Sequence, residues 1–439
     1  MIHKCLLAIG LIISGIGAHG QSSRQMIEFT EFDLPNGLHV ILHEDHTTPN
    51  VAVTVLYHVG SKNEKPDRTG FAHFFEHLLF EGSENIGRGE FDKYVENAGG
   101  TLNANTSKDR TFYHEVLPSN YLELGLWLES ERMLHAKVDA VGIETQRKVV
   151  KEEKRQRVDN QPYGNWLGEV CQRMYRKHPY QWQPIGSMEH LDAATEADYV
   201  GFYKTYYVPN NATLSIAGDL DIASTKALVE KYFSDIPRGN DVPRPSVVEP
   251  ALGGEIRDTV YDNIQLPAVI MAYHSPKQST KDAYALEMLS YVLSRGQSAR
   301  LTKTLVDDKQ LALQAFSFYY GTEDPGLFNF FALCNMGIDP AEVEKVLEEE
   351  IDRLKSEPIS DMELTKIQNI METRFVTGFA SIQNRAEYLA NYHVYGGNAS
   401  LINTEVDRYM AVTKDDIMNA AKTYLNDNNR VVLYYQPKK

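Results

Sequence analysis

TEADYVGFYKTYYVPNNATLSIAGD, residues 195–219, and TKDDIMNAAKTYLNDNNRVVLYYQP, residues 413–437, align without a gap. Thr195, Asp198, Lys204, Thr205, Tyr206, Asn210 and Asn211 fall on Thr413, Asp416, Lys422, Thr423, Tyr424, Asn428 and Asn429. Each stretch reads as an N-capped helix, an Asn-rich turn and an alternating strand. So many identities in one ungapped stretch predict a chain built of two halves with the same ending.

Working outward, the beginnings agree more weakly. GLHVILHEDHTTPNVAVTVLYHVGS, from Gly37, reads as two strands joined by a turn, and QLPAVIMAYHSP, from Gln265, as the counterpart of the second. Between the halves, SDIPRGNDVPRPSVVEPALGG (residues 234–254) is rich in Pro and Gly and has neither helical nor strand periodicity, the mark of a linker. The expected division is a first domain at about 27–236, a linker at 237–254 and a second domain at 255–439. Long helical patterns such as PAEVEKVLEEEIDRLKSE, from Pro340, follow the strands in each half, so the expected class is α+β.

A length of 439 residues suits two such domains, each able to bury its own core. With 42% apolar and 24% charged residues the composition is that of a soluble globular protein. A formal net charge of −16 argues against nucleic acid or an anionic membrane surface as partner, since both call for a basic footprint. The first twenty residues hold Lys4, an apolar run to about Ala18 and a small-x-small site at Ala18-His19-Gly20. That pattern is a secretory signal peptide, too short for a spanning helix, and it predicts export, most simply to a bacterial periplasm, with no membrane span after cleavage. Its removal takes Cys5 and leaves Cys171 and Cys334, too few and too far apart for a zinc knuckle or a disulfide framework, so both are expected as buried thiols, with one long-range disulfide as the alternative.

The chemistry is carried by FAHFFEHLLFEGS, residues 71–83. Seven of its first ten residues are apolar, yet His73, Glu76 and His77 interrupt them on what would be one helical face. Buried imidazoles and a buried carboxylate are costly unless paired or metal-bound. A lone His in such a helix is ordinarily a satisfied core residue; a pair around an intervening Glu favours metal. Zinc suits nitrogen ligands in a site of three protein ligands and water, and the order H-x-x-E-H is the inverzincin motif. A third ligand has to come from elsewhere in the chain, and the charged helix ETQRKVVKEEKRQRVDNQPYG, from Glu144, whose apolar stripe is read as Val149 and Val150, offers one. Glu153 lies at the edge of that stripe and is the preferred candidate, with Glu152 as the alternative.

HFFEH followed after 75 intervening residues by Glu153 resembles the M16 metallopeptidases, the group of pitrilysin, insulin-degrading enzyme and the mitochondrial processing peptidase. LPNGLHVIL near the start, GGTLNANTSKDRTFYHEVLP from Gly99, PIGSMEHLDAAT from Pro184 and NATLSIAGD from Asn211 extend the resemblance over nearly all of the chain after its leader. The size and the two halves look like the short M16B type. That resemblance implies two homologous α/β-sandwich domains, each an antiparallel sheet packed by helices, forming half of a clamshell that a second chain completes. It implies His73, His77 and Glu153 as ligands of one zinc ion, Glu76 as general base, and Asn103 and Ala104 on an edge strand that pairs with the substrate backbone.

Two positions depart from the family pattern. Where many members carry a further Glu, this chain has Gln146, which can hydrogen-bond a ligand but adds no charge. Where members with a complete site carry an Arg and, seven residues on, a Tyr, this chain has Val306 and Leu313; Arg300, Tyr319 and Tyr320 are nearby at other spacings. The expectation is therefore a zinc endopeptidase subunit acting on oligopeptides with a homologous M16 chain that lacks H-x-x-E-H and supplies the Arg and Tyr. A homodimer is the alternative assembly, and a non-catalytic assembly or peptide-binding subunit the alternative function.

Overall fold

The computed structural model describes residues 26–438, so the expected signal peptide and Cys5 lie outside the described residues. The first sheet is built from β1 (Thr30–Asp33), β2 (His39–Glu44), β3 (Asn50–Tyr57), β4 (Thr101–Thr106), β5 (Thr111–Pro118) and β6 (Ala212–Gly218), in the order β1-β2-β6-β3-β5-β4. The second comprises β7 (Ile256–Asp262), β8 (Ala268–His274), β9 (Ala312–Tyr320), β10 (Leu327–Cys334) and β11 (Arg430–Pro437), in the order β7-β11-β8-β10-β9. Setting β1 aside, the two orders are the same, and each sheet is packed by helices. Residues 237–255 between the sheets hold no helix or strand.

One detail differs from a purely antiparallel expectation. β2 runs parallel to β6, and β7 runs parallel to β11. β2 and β7 thus each lie beside the last strand of their half, with the other strands and most of the helices of that half between them in the chain. A connection of that length returns the chain to the starting end, which a hairpin cannot do.

The repeated stretches fold alike to the level of single hydrogen bonds. Thr195 and Asp198 form a capping box at the Glu196–Tyr206 helix, and Thr413 and Asp416 form its twin at Lys414–Tyr424. After each helix an Asn side chain closes the turn: Asn211 Nδ2 donates to the Tyr206 carbonyl at 2.8 Å, and Asn429 Nδ2 donates to that of Tyr424 at 3.1 Å. The same amides reach the carbonyls of His58 and His274, where β3 and β8 end. The shared Asn thus ties the helix before the closing strand of each half to its central strand, before β6 or β11 begins.

β3 and β8 are apolar on both faces because both are covered. Val51, Val53, Val55 and Tyr57 face the helices of their own half. On the opposite face Leu56 meets Ala390 and Val394, and Ile41 of β2 meets Leu389, all three from the Ile382–Gly396 helix of the second half. The second sheet receives the reciprocal cover: Val170, Cys171 and Met174 of the Trp166–Met174 helix pack on Ala268, Ile270, Ala272 and Leu433. Cys171 and Cys334 are both buried and unpaired with each other. Among the described residues no helix is long and apolar enough to cross a membrane.

Candidate metal centre

The motif segment forms a short helix, Phe71–Leu78, held from every side. Its N-cap is Gly70, in the left-handed region at φ +92°. The buried Glu64 carboxylate accepts from the Gly70 and Ala72 amides at 2.9 Å each, satisfying donors that a helix start otherwise leaves free. Burial pushes the Glu64 pKa up to about 8 against the pull of those two amides. Phe71 and Phe74 pack on the Tyr199 ring at 4.7 and 4.5 Å, and Tyr113 donates its hydroxyl to the Phe75 carbonyl at 2.9 Å. The apolar residues of the motif are thus its rigid mount, and the polar three emerge on the remaining face.

Opposite that face runs the helix Ala140–Lys154. Val150 is fully buried, whereas Val149, read from the sequence as part of the same stripe, is 44% exposed; Gly142, Ile143 and Val150 make the buried side instead. Glu153, one turn after Val150, reaches the motif helix. Its Oε2 lies 3.1 Å from His77 Nε2 and 3.5 Å from His73 Nε2. Glu152 points away and pairs with Arg155 at 3.1 Å. Directly after Lys154 the backbone widens into a π-helical turn, Arg155–Asp159, which carries Arg157 back to Glu153 Oε1 at 2.7 Å. Gln146 does not support a ligand: its amide donates to Glu81 Oε1 at 2.6 Å, because at that height the helix faces the buried Glu81.

His73, His77 and Glu153 form a group whose ligand atoms all lie within 4.8 Å of one another. Ligands about 2.0–2.1 Å from a tetrahedral ion lie about 3.3 Å apart, and the two observed nitrogen–oxygen separations bracket that value. Burial and then the neighbouring His77 push the His73 imidazole well below its ordinary pKa. Glu153 Oε2 is buried without a well-aligned hydrogen bond, and the close approach of His77 holds its carboxyl below the usual carboxylate range. A neutral imidazole and an ionised carboxylate converging in a half-closed site are the protonation states a divalent cation requires. The residues present therefore fit a zinc ion.

Glu76 stands beside this group and is not part of it. Burial raises its pKa, and a 2.6 Å hydrogen bond from Thr106 Oγ1 opposes the rise. Thr106 was not singled out from the sequence. It sits on β4 two residues after Ala104, hence on the same face of the strand, and that alternation was the available signal. β4 is the outer strand of its sheet and, among the described residues, pairs only with β5. Asn103 and Ala104 lie at its middle, and the Ala104 amide donates to the Asn103 side chain at 2.8 Å.

In the second half, Val306 lies in the π-helical turn Thr302–Asp308 and Leu313 is an exposed residue of β9. Arg300 is engaged by Glu363, with Nε and Nη2 donating at 2.7 and 3.0 Å. Tyr319 donates to the Pro276 carbonyl at 2.8 Å, and burial drives the hydroxyl pKa of Tyr320 far up.

The chain is similar to known proteins over both of its halves. Residues 39–186 match the family model described as insulinase (peptidase family M16), and residues 193–371 match the peptidase M16 inactive domain. The chain is 32% identical over 437 residues to the zinc protease PqqE of Helicobacter pylori, covering 98% of each. Its fold superposes on the crystal structure of a protease from Helicobacter pylori with a TM-score of 0.90 at 31% identity, covering 94% of this chain and all of that one. It also matches the periplasmic protease PqqL from Escherichia coli with a TM-score of 0.75 at 17% identity, covering 93% of this chain and 47% of that one. With two family models spanning most of its length and a full-length relative at this identity, the chain belongs to the M16 family of metallopeptidases.

Proposed function

We propose that the chain is the metal-bearing subunit of an exported zinc endopeptidase that hydrolyses oligopeptides. His73, His77 and Glu153 hold one zinc ion and Glu76 is the general base. The convergence of three donor atoms at tetrahedral spacing, with a separate buried carboxylate beside them, carries this reading. Zinc, when bound there, lowers the pKa of a water toward ~7 and polarises the scissile carbonyl. Glu76 accepts the proton of the attacking water and returns it to the leaving amine, a role for which a carboxyl raised by burial is suited. Thr106 fixes one Glu76 oxygen and leaves the other to exchange protons. The open edge of β4 receives the peptide as an added strand, with the Ala104 amide released from Asn103 to pair with it.

The oxyanion needs a donor besides the metal. Val306 and Leu313 cannot donate, and Arg300 and Tyr319 are already committed within the chain. This favours a partner M16 chain, lacking H-x-x-E-H, that contributes an Arg and a Tyr. The signal-like leader, and a periplasmic protease among the structures of the same fold, support the periplasm as the site of action.

Glu76→Gln tests the core of this reading. The variant is expected to retain zinc by elemental analysis and to lose about a hundredfold to ten-thousandfold in turnover of a quenched fluorescent peptide. Undiminished turnover would remove Glu76 from the mechanism, and loss of metal would make it a ligand.

A further inference from the structure

A second cluster of donors lies at the seam between the halves, away from the motif. In the β1–β2 pair Asp33 stands opposite His39, and Glu31 lies two residues along β1 on the same face. The Ile382–Gly396 helix of the second half lays His393 over that face. The His39 and His393 rings stack with centroids 3.5 Å apart and planes 6° from parallel. Glu31, His39 and His393 offer ligand atoms within 4.8 Å of one another, the second such group among the described residues.

The hydrogen bonding of His39 accounts for one ring nitrogen and leaves the other without a partner. Asp33 Oδ1 lies 2.8 Å from Nδ1, and a carboxylate can only accept, so Nδ1 carries a proton. Nε2 is buried, has no hydrogen-bond partner and sits 3.5 Å from Glu31 Oε2. A carboxylate oxygen across that gap calls for positive charge on or beside Nε2, which a proton or a bound metal ion supplies, and the stacked His393 adds a third donor for the ion. An imidazole oriented through its far nitrogen by a carboxylate is the arrangement that metal-binding histidines use. The side chains of Glu31 and Asp33 are 44% and 74% exposed, so an ion and its water can enter from solvent.

We propose that Glu31, His39 and His393 bind a divalent ion of the zinc, nickel and copper class, clipping the β1–β2 edge of the first half to the Ile382–Gly396 helix of the second. Two imidazoles and a carboxylate are the donor set those ions favour over magnesium or calcium. Asp33 orients His39, and solvent completes the coordination. Coordination in the plane of each ring requires the stack to open, so binding turns the His393 ring.

Zinc chloride titrated calorimetrically into the full chain carrying His73→Ala and His77→Ala reads this site alone. One ion per chain is expected, together with a zinc-dependent rise in melting temperature. Adding His39→Gln and His393→Gln should abolish both effects. Adding Glu31→Gln instead, at an exposed position where folding is not at stake, should weaken binding at least tenfold. His39→Gln/His393→Gln with the motif intact should keep zinc at the motif site by elemental analysis. If the motif-free chain binds no zinc, or binds it equally after His39→Gln/His393→Gln and after Glu31→Gln, the gap between His39 and Glu31 holds only a proton and the proposal falls.

Discussion

Thr106 does for the Glu76 carboxylate what the aromatic mount does for the imidazoles. A hydrogen bond to a charged group contributes about 1.5–3 kcal/mol, and here it both positions Glu76 and opposes the rise in its pKa caused by burial. Thr106→Val keeps the shape and removes the donor. It is expected to lower kcat/KM about tenfold to a hundredfold while zinc content stays at the wild-type level. Peptide hydrolysis followed beside elemental analysis would decide this, and equal loss of metal and activity would reassign Thr106 to folding of the site. The same scale shows what neighbouring residues on a helix can and cannot tell. Glu152 and Glu153 are equally acidic and one residue apart, yet one faces Arg155 and solvent while the other faces two imidazoles.

Among the elements, the short motif helix depends on a close backbone crossing at its N-terminus. Gly70 and Gly186 both have positive φ, and a Cβ on Gly186 would lie 2.4 Å from the Gly70 Cα and N. Only glycine permits that approach, so the PIGS loop around Gly186 buttresses the start of the helix. Gly186→Ala is expected to cost about 2 kcal/mol or more from the left-handed backbone and the clash together, and to weaken zinc binding because the displaced turn leads directly to His73. Urea unfolding and zinc competition measure the two effects; a change below about 0.5 kcal/mol would mean that the loop simply moves aside. Strands carry a different lesson. β3 and β8 are covered on both faces, but a mostly apolar run does not name what covers each face.

At the level of the whole molecule the halves exchange helices. Leu389 belongs to the second half and packs in a cluster with Ile27 and Ile41 of the first. Leu389→Ala should cost about 2–5 kcal/mol, with hydrogen-exchange protection lost first in β2 and not in the second sheet; the reverse order would show that the cover is passive. The halves also share a buried ionic network. Lys62 contacts Asp109, Glu323 and Asp324, while His58 and His178 reach Glu323 and Asp324 at 2.8 and 3.2 Å. His58 and Lys62 hold the Glu323 pKa at about 2 against the opposing effect of burial. A carboxylate held below its unfolded value stabilises the fold above that unfolded value, near 4.5, and loses the contribution as pH falls toward about 2. Glu323→Gln should therefore be less stable than wild type at pH 7 and show a shallower loss between those two pH values in urea melts. Parallel stability curves would refute the coupling.

By itself the sequence determined the duplication, the α+β class and the His-x-x-Glu-His face, because each is written in short-range periodicity. An N-cap, an Asn-closed turn and an i, i+4 pair of imidazoles are local geometries that any helix of that sequence repeats. The tertiary structure decided which acidic residue meets the histidines, that Gln146 serves Glu81, that Thr106 holds Glu76, and that His393 rests on His39 from the other half. Those pairings join residues dozens to hundreds of positions apart. Their partners are chosen by how sheets and helices pack around shared apolar surface, a quantity that spacing along the chain does not encode.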